Sequence, residues 1–483
     1  MVFSSPIFLF VFLPATLLLY YLLPRVAKNG FLLAASLVFY AWGEIFYVLI
    51  MLFSIVVNYL IGLALEKTAG RPGKKRVLIA GVTANLALLA YFKYANFIVD
   101  NINQVLIANG SSSLDWSPVH LPLGISFFTF QAMSYLIDVY RGENHAQRNP
   151  VNVALYIALF PQLIAGPIVR YHDIAKQIRE RVITLLLVNS GIQRFIYGLA
   201  KKVLIANPLG LVADQIFAIS GGDLTTGLAW LGLVCYTLQI YFDFSGYSDM
   251  AIGLGRMLGF RFLENFNYPY ISTSIREFWR RWHISLSSWF RDYLYIPLGG
   301  NRKGPARTYL NLLIVFCLCG LWHGASWTFL IWGVFHGGFL ALERTRIGSL
   351  LDKLPRVLGH AYTLLVVMAG WVFFRTETLA DASAYFRALA GLSEATGQLH
   401  YVAQYLDART TFVLLAGIVL ATPVMSNLNR KLLVMAGGGQ QAAPGLRATA
   451  YSAANVLVLS SLLLLCMTAI AANAYSPFIY FRF

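Results

Sequence analysis

The sequence predicts an all-α polytopic membrane protein, one integral-membrane domain over residues 1–483, with about a dozen membrane segments that include re-entrant and interfacial helices. Three observations lead there. The chain is 58% hydrophobic and only 12% charged, which excludes an ordinary soluble domain. Its formal charge of +16 is gathered in short basic clusters between apolar runs, the pattern of membrane loops and not the footprint of a nucleic-acid binder. A histidine, His323, also sits between two apolar runs where a lipid bilayer is expected.

The elements follow in order. Residues 3–24 read as a first span. No positive charge precedes residues 6–23, and Arg25 and Lys28 follow them, so this is a retained span with an outside N-terminus and not a signal peptide. Spans near 29–46, 47–66, 77–99 and 121–140 alternate from that start. The 67–76 loop carries Arg71, Lys74 and Lys75 and is expected in the cytosol, whereas the 100–120 loop has no Lys or Arg and is expected outside. Pro161, Gly166 and Pro167 interrupt the apolar stretch 151–167, and Arg141, Arg148, Arg170 and Lys176 flank it, so it reads as re-entrant.

Arg194, Lys201 and Lys202 place the next stretch partly along the cytosolic interface, before crossings near 203–219 and 227–243. After a charged central block come the two runs around His323, then spans near 360–374, 411–429 and 452–474, with Arg430 and Lys431 marking a cytosolic end. The low-complexity stretch 436–445 reads as a loop, and the aromatic end 473–483 as an outside interface. Cys235, Cys317, Cys319 and Cys466 all lie in apolar segments without CxxC or CxxH spacing. They are core residues, and neither a disulfide nor a metal site is implied.

The candidate chemistry starts at His323. The run 309–321 carries the chain roughly 20 Å from its basic edge, against a hydrocarbon core about 30 Å thick, so the imidazole lies within the slab. An ionisable group at that depth is costly unless it serves a site; the rival is a histidine that only hydrogen-bonds across a helix pair. Both flanking runs are too short to cross comfortably, and Gly320 and Gly324 permit close backbone approach at the turn between them. His336 reads as a hydrogen-bonded packing residue.

A second constellation spans 276–293, read as one two-faced helix. Arg276, Arg280, His283, Ser287 and Arg291 share one side, and Phe278, Trp282, Leu286, Trp289 and Tyr293 the other. Forked guanidiniums match phosphate oxygens, so a phosphate-bearing donor is one reading, and an interfacial helix touching lipid headgroups is the other. Residues 297–303 read as a turn. Asp243 and Asp249 either orient a histidine or pair with these arginines.

Trp279-Arg280-Arg281-Trp282-His283, followed forty residues later by Leu321-Trp322-His323-Gly324, resembles the membrane-bound O-acyltransferase (MBOAT) family. Met1 to Ser5, Tyr91 to Phe97, Gly124 to Phe127, Ala165-Gly166-Pro167, Tyr241 to Met250 and Asn473 to Phe483 are similar, more narrowly, to AlgI-type polysaccharide O-acetylases. The resemblance implies an MBOAT-like helical bundle in the bacterial inner membrane. It implies His323 as the catalytic histidine and His283 as the second characteristic position. Acetyl would come from a cytosolic donor, acetyl-CoA, and pass outward to a polysaccharide such as alginate through a periplasmic partner with a Ser-His-Asp site. The chain has no GxSxG elbow of its own. Cellulose, peptidoglycan and teichoic acid are alternative acceptors. A non-enzymatic transporter stays open beside them, although the sequence lacks the two matching halves that many transporters have.

Overall fold

The computed structural model describes residues 1–219, 223–393, 400–436 and 446–472; the 473–483 end and nearly all of the 436–445 loop lie outside these. Among the described residues the ordered elements are helical and no strand is present. Backbone groups in the interior of each helix are thereby paired within their own segment, as a lipid surround requires.

The chain opens with α1 (Phe8–Leu22) and α2 (Arg25–Ala41), followed by two long apolar helices, α3 (Tyr47–Lys67) and α4 (Lys74–Ala108). Next, α5 (Ile125–Arg141) is buried along almost its whole length. The 151–167 stretch forms two short buried helices, α6 (Pro150–Ala158) and α7 (Phe160–Leu163), each starting on a proline-bearing first turn. Neither is long enough to cross, in keeping with a broken, re-entrant segment. A short two-faced helix, α8 (Tyr171–Arg179), follows.

The next helix departs from the expected interfacial course. α9 (Leu185–Phe217) is continuous over 33 residues, with a π-helical stretch at Lys201–Ala206. Its cations turn inward. Arg194 and Lys201 bind Asp249 at 2.7 Å each, and Lys202 binds Asp243 at 2.8 Å. Both carboxylates stand on α10 (Thr226–Met257), the most enclosed long helix. A buried carboxylate needs a cation, and these find theirs one helix away, on α9.

The central block yields α11 (Ile275–Arg281) and α12 (Ile284–Phe290), then α13 (Pro305–His323) and α14 (Trp327–Leu342). Beyond them lie α15 (Arg346–Leu351), α16 (Arg356–Arg375), α17 (Leu379–Leu389), α18 (Ala408–Leu420), α19 (Val424–Met435) and α20 (Leu446–Ala471). Among the described residues seven helices are long and apolar enough to cross a membrane, and eight if α18 and α19, bent by 66°, count as one span. The other apolar segments are the shorter helices. One correction matters for the site: α13 starts at Pro305, where Gly304 and the proline open it. Its 19 residues reach about 28 Å, enough to cross alone, and only α14 is short.

Candidate active site

His323 is the last residue of α13, and α13 and α14 touch backbone to backbone beneath it. A Cβ on Gly320 would stand 2.2 Å from the carbonyl oxygen of Phe329, and one on Gly333 equally close to that of Phe316. Only glycine permits that approach. Past His323 the chain extends through Gly324, and Ser326 caps α14 by accepting from the Phe329 amide at 3.4 Å. The His323 ring is 4% exposed, and packs edge-on against Trp332 at 5.1 Å and Phe374 at 5.2 Å.

His283 comes to within 6.4 Å of it, ring centre to ring centre. The two imidazoles expected from sequence therefore share one buried site, but His283 does not ride on a continuous helix. The chain breaks between α11 and α12, with His283 in the left-handed region at φ 45°, a conformation that β-carbon sterics disfavour. Backbone bonds from a distant segment hold the break: Asn267 N donates to Arg281 O and Ile284 N to Asn265 O, both at 2.9 Å. Asn265 Oδ1 also accepts from the Ser285 amide and hydroxyl at 3.1 and 2.9 Å, so His283 Nδ1, 3.1 Å away, must be the protonated nitrogen. Its Nε2 is then an acceptor, and it has no hydrogen-bond partner among the described residues. The aromatic side expected for 276–293 is buried throughout: Phe278, Trp282, Leu286, Trp289 and Tyr293 all lie inside.

The break separates the three arginines. Arg276 and Arg280 line an open hollow of about 640 Å³, together with Arg344, Thr308, Tyr309 and Ser349. Arg276 leans on Glu343 (3.4 Å) and Asp352 (3.6 Å). The buried Glu343 carboxylate also takes the first amides of α11, from Ile275 at 2.6 Å and Arg276 at 3.0 Å, where a negative charge suits a helix start. Arg280 and Arg344 are exposed, and no carboxylate pairs with either among the described residues. Arg291 is elsewhere. It binds Asp292 at 2.7 Å, and Asp292 also takes Arg170 at 2.6 Å. The face shared by Arg276, Arg280, His283 and Arg291 thus does not exist, because the helix that would carry it breaks at Trp282 and His283.

A second, small cavity of about 20 Å³ opens on His323, lined by residues 122–127, Ile164, Trp322 and Lys93. That is room for about one water or one hydroxyl group. Lys93, unassigned by the sequence reading, is buried on α4. Its ammonium donates to the carbonyl oxygen of Trp322, to that of His323 at 3.3 Å and to Ser126 Oγ at 3.3 Å, while Tyr94 OH donates to Leu321 O at 2.7 Å. The signal was present: a lysine in the apolar run Tyr91-Phe92-Lys93-Tyr94. Arg344 was missed because it lies beyond the helix that drew attention. His336 is a packing residue, yet not a hydrogen-bonded one. Its ring sits against Trp279 at 5.2 Å and Trp332 at 5.1 Å, and neither nitrogen has a partner among the described residues.

Long apolar helices pack around a buried pair of histidines, and residues 119–348 match the model of the membrane-bound O-acyltransferase family. The chain belongs to that family and is an O-acyltransferase. It is 46% identical, over the whole of both chains, to the probable alginate O-acetylase AlgI of Azotobacter vinelandii. It is 37% identical to the peptidoglycan O-acetyltransferase of Helicobacter pylori, over 81% of this chain and 80% of that one. It is 30% identical to the teichoic acid D-alanyltransferase of Bacillus subtilis, over 44% of this chain and 56% of that one.

Proposed function

We propose that this membrane O-acetyltransferase works as one unit over residues 1–483 in a bacterial inner membrane. It takes acetyl from acetyl-CoA on the cytosolic side and delivers it outward for O-acetylation of an exopolysaccharide such as alginate, with a periplasmic Ser-His-Asp transferase completing the transfer. The observation that carries this is the pair of sites at the two ends of α13. Arg280 and Arg344 face an open hollow beside Pro305, and His323 ends the same helix some 19 residues on.

The phosphates of the donor suit the hollow, where charge-assisted hydrogen bonds from Arg276, Arg280 and Arg344 are available. Its thioester arm then follows α13 toward the histidines. There His323 accepts the proton of the acceptor hydroxyl, whose oxygen attacks the thioester carbonyl. The thiol leaves with a proton and the acetyl ester is formed. Histidine suits this because its ordinary pKa lies near neutrality. His283 supplies a second imidazole, with Nδ1 fixed by Asn265. The small cavity beside Ser126 is of a size to admit the hydroxyl alone.

The full-length likeness to an alginate O-acetylase, against partial coverage of the peptidoglycan and teichoic acid enzymes, favours a polysaccharide acceptor. The test is the mass of extracted polysaccharide from cells with and without the gene. Loss of acetyl groups from the polysaccharide, with peptidoglycan acetylation unchanged, is expected. Loss from peptidoglycan instead would overturn the acceptor, and no loss from either would overturn the function.

A further inference from the structure

Lys93 Nζ lies inside the protein, and no carboxylate stands beside it among the described residues. The residue is 7% exposed, and no ion pair to it exists among the described residues. An isolated buried ammonium is costly, so the surroundings must supply acceptors. They supply three, which matches the three N–H donors of an ammonium: the carbonyl oxygens of Trp322 and His323 and the hydroxyl of Ser126. Two of these are the last carbonyls of α13, which have no partner within their own helix and carry the negative end of its dipole. The ammonium also lies 5.9 Å from the centre of the Trp322 ring, and it lines the same cavity as His323.

We propose that Lys93 is a positioning residue for acyl transfer: its ammonium clamps the C-terminal turn of α13 and so fixes the His323 imidazole against the cavity at the end of that helix. This rests on the reading of His323 as the base. Peptide carbonyls are the fitting partners for such a clamp. A carboxylate in their place would offer His323 a competing hydrogen-bond acceptor and draw its ring away from the cavity. Tyr94, one residue along, bonds Leu321 O, so α4 grips three successive residues of the turn. Ser126 Oγ ties the clamp to the start of α5, which lines the same cavity.

The test compares Lys93→Met with the parent and with His323→Ala, each purified in detergent with acetyl-CoA as donor, by steady-state kinetics of thiol release. Lys93→Met keeps the side-chain volume and removes the donors. A misplacement of about 1 Å costs on the order of 10²-fold in rate. The expected result is therefore a fall of about that size in kcat, with the donor KM unchanged, in a protein that accumulates normally. A parent-like kcat in Lys93→Met beside an inactive His323→Ala overturns the clamp and leaves the base intact, whereas an active His323→Ala overturns the base itself. If Lys93→Met does not accumulate, Lys93→Leu, which likewise removes the donors, takes its place. Accumulation of Lys93→Leu with reduced kcat and unchanged KM supports the proposal. Its failure to accumulate, or a parent-like kcat, overturns it.

Discussion

The two ends of α13 are built on opposite principles. At Pro305 the helix borders an open hollow of about 640 Å³, where Arg280 and Arg344 reach solvent. At His323 it borders a cavity of about 20 Å³, walled by tryptophan, phenylalanine and a lysine bound to carbonyls. Exposed arginines contribute little to folding, so the first end is free to be shaped by what it binds. The second is held by close packing, where a shift of a few tenths of an ångström is felt. One end suits recognition of charge, and the other suits positioning of a reacting group.

That contrast can be broken most violently by separating the helices under the buried end. Gly333→Val would drive a side chain into the Phe316 carbonyl. Overpacking typically costs about 1–3 kcal/mol, and a clash with backbone cannot be relieved by a rotamer change. Strongly reduced accumulation in the membrane and a lower thermal midpoint are expected; an unchanged midpoint would contradict the backbone contact between α13 and α14.

The open end should respond differently. Hydrogen bonds to charged groups contribute about 1.5–3 kcal/mol each, and 1.4 kcal/mol is a tenfold change. Replacing both Arg280 and Arg344 by glutamine should thus raise the donor KM by tenfold or more, with thermal stability unchanged. Arg291→Gln should leave KM as it is, because Arg291 faces Asp292 and not the hollow. Equal effects from Arg291 and Arg280 would erase the distinction.

The smallest effect concerns the pair His172 and Asp138, which lines neither cavity. The hydrogen bond to Asp138, at 3.0 Å, raises the pKa of His172 above its ordinary 6.5. A raised histidine contributes stability that is fully present below about 6.5 and is lost as pH climbs through the raised value. The thermal midpoint should therefore decline modestly above pH 6.5, modestly because the His172 side chain is 32% exposed, and His172→Gln should lack that decline. An identical pH dependence in the two proteins would remove the pair from the account.

The parts legible in the sequence were those written in local pattern. Apolar runs and basic loops marked the long helices, and a histidine set between two apolar runs drew attention to His323, although the helix that ends on it proved long enough to cross. The charged face of 276–293 was misread because helical periodicity continues smoothly through His283, while the break there depends on Asn265 and Asn267, far enough back that no local rule sees them. Arg194, Lys201 and Lys202 were read as interfacial because their partners, Asp243 and Asp249, stand on another helix. Lys93 could have been found by the reasoning applied to His323, since a charge in an apolar run asks for a purpose. Which carbonyls it meets is a tertiary fact.

The central claim is that His323 performs chemistry and does not merely hold the fold. The most direct measurement is acyl transfer by purified His323→Ala protein at matched membrane accumulation. Loss of a general base typically lowers the rate by about 10²–10⁴-fold, so the account predicts normal insertion with turnover reduced by that factor and an unchanged donor KM. Near-parental turnover, or a protein that fails to accumulate, would contradict it.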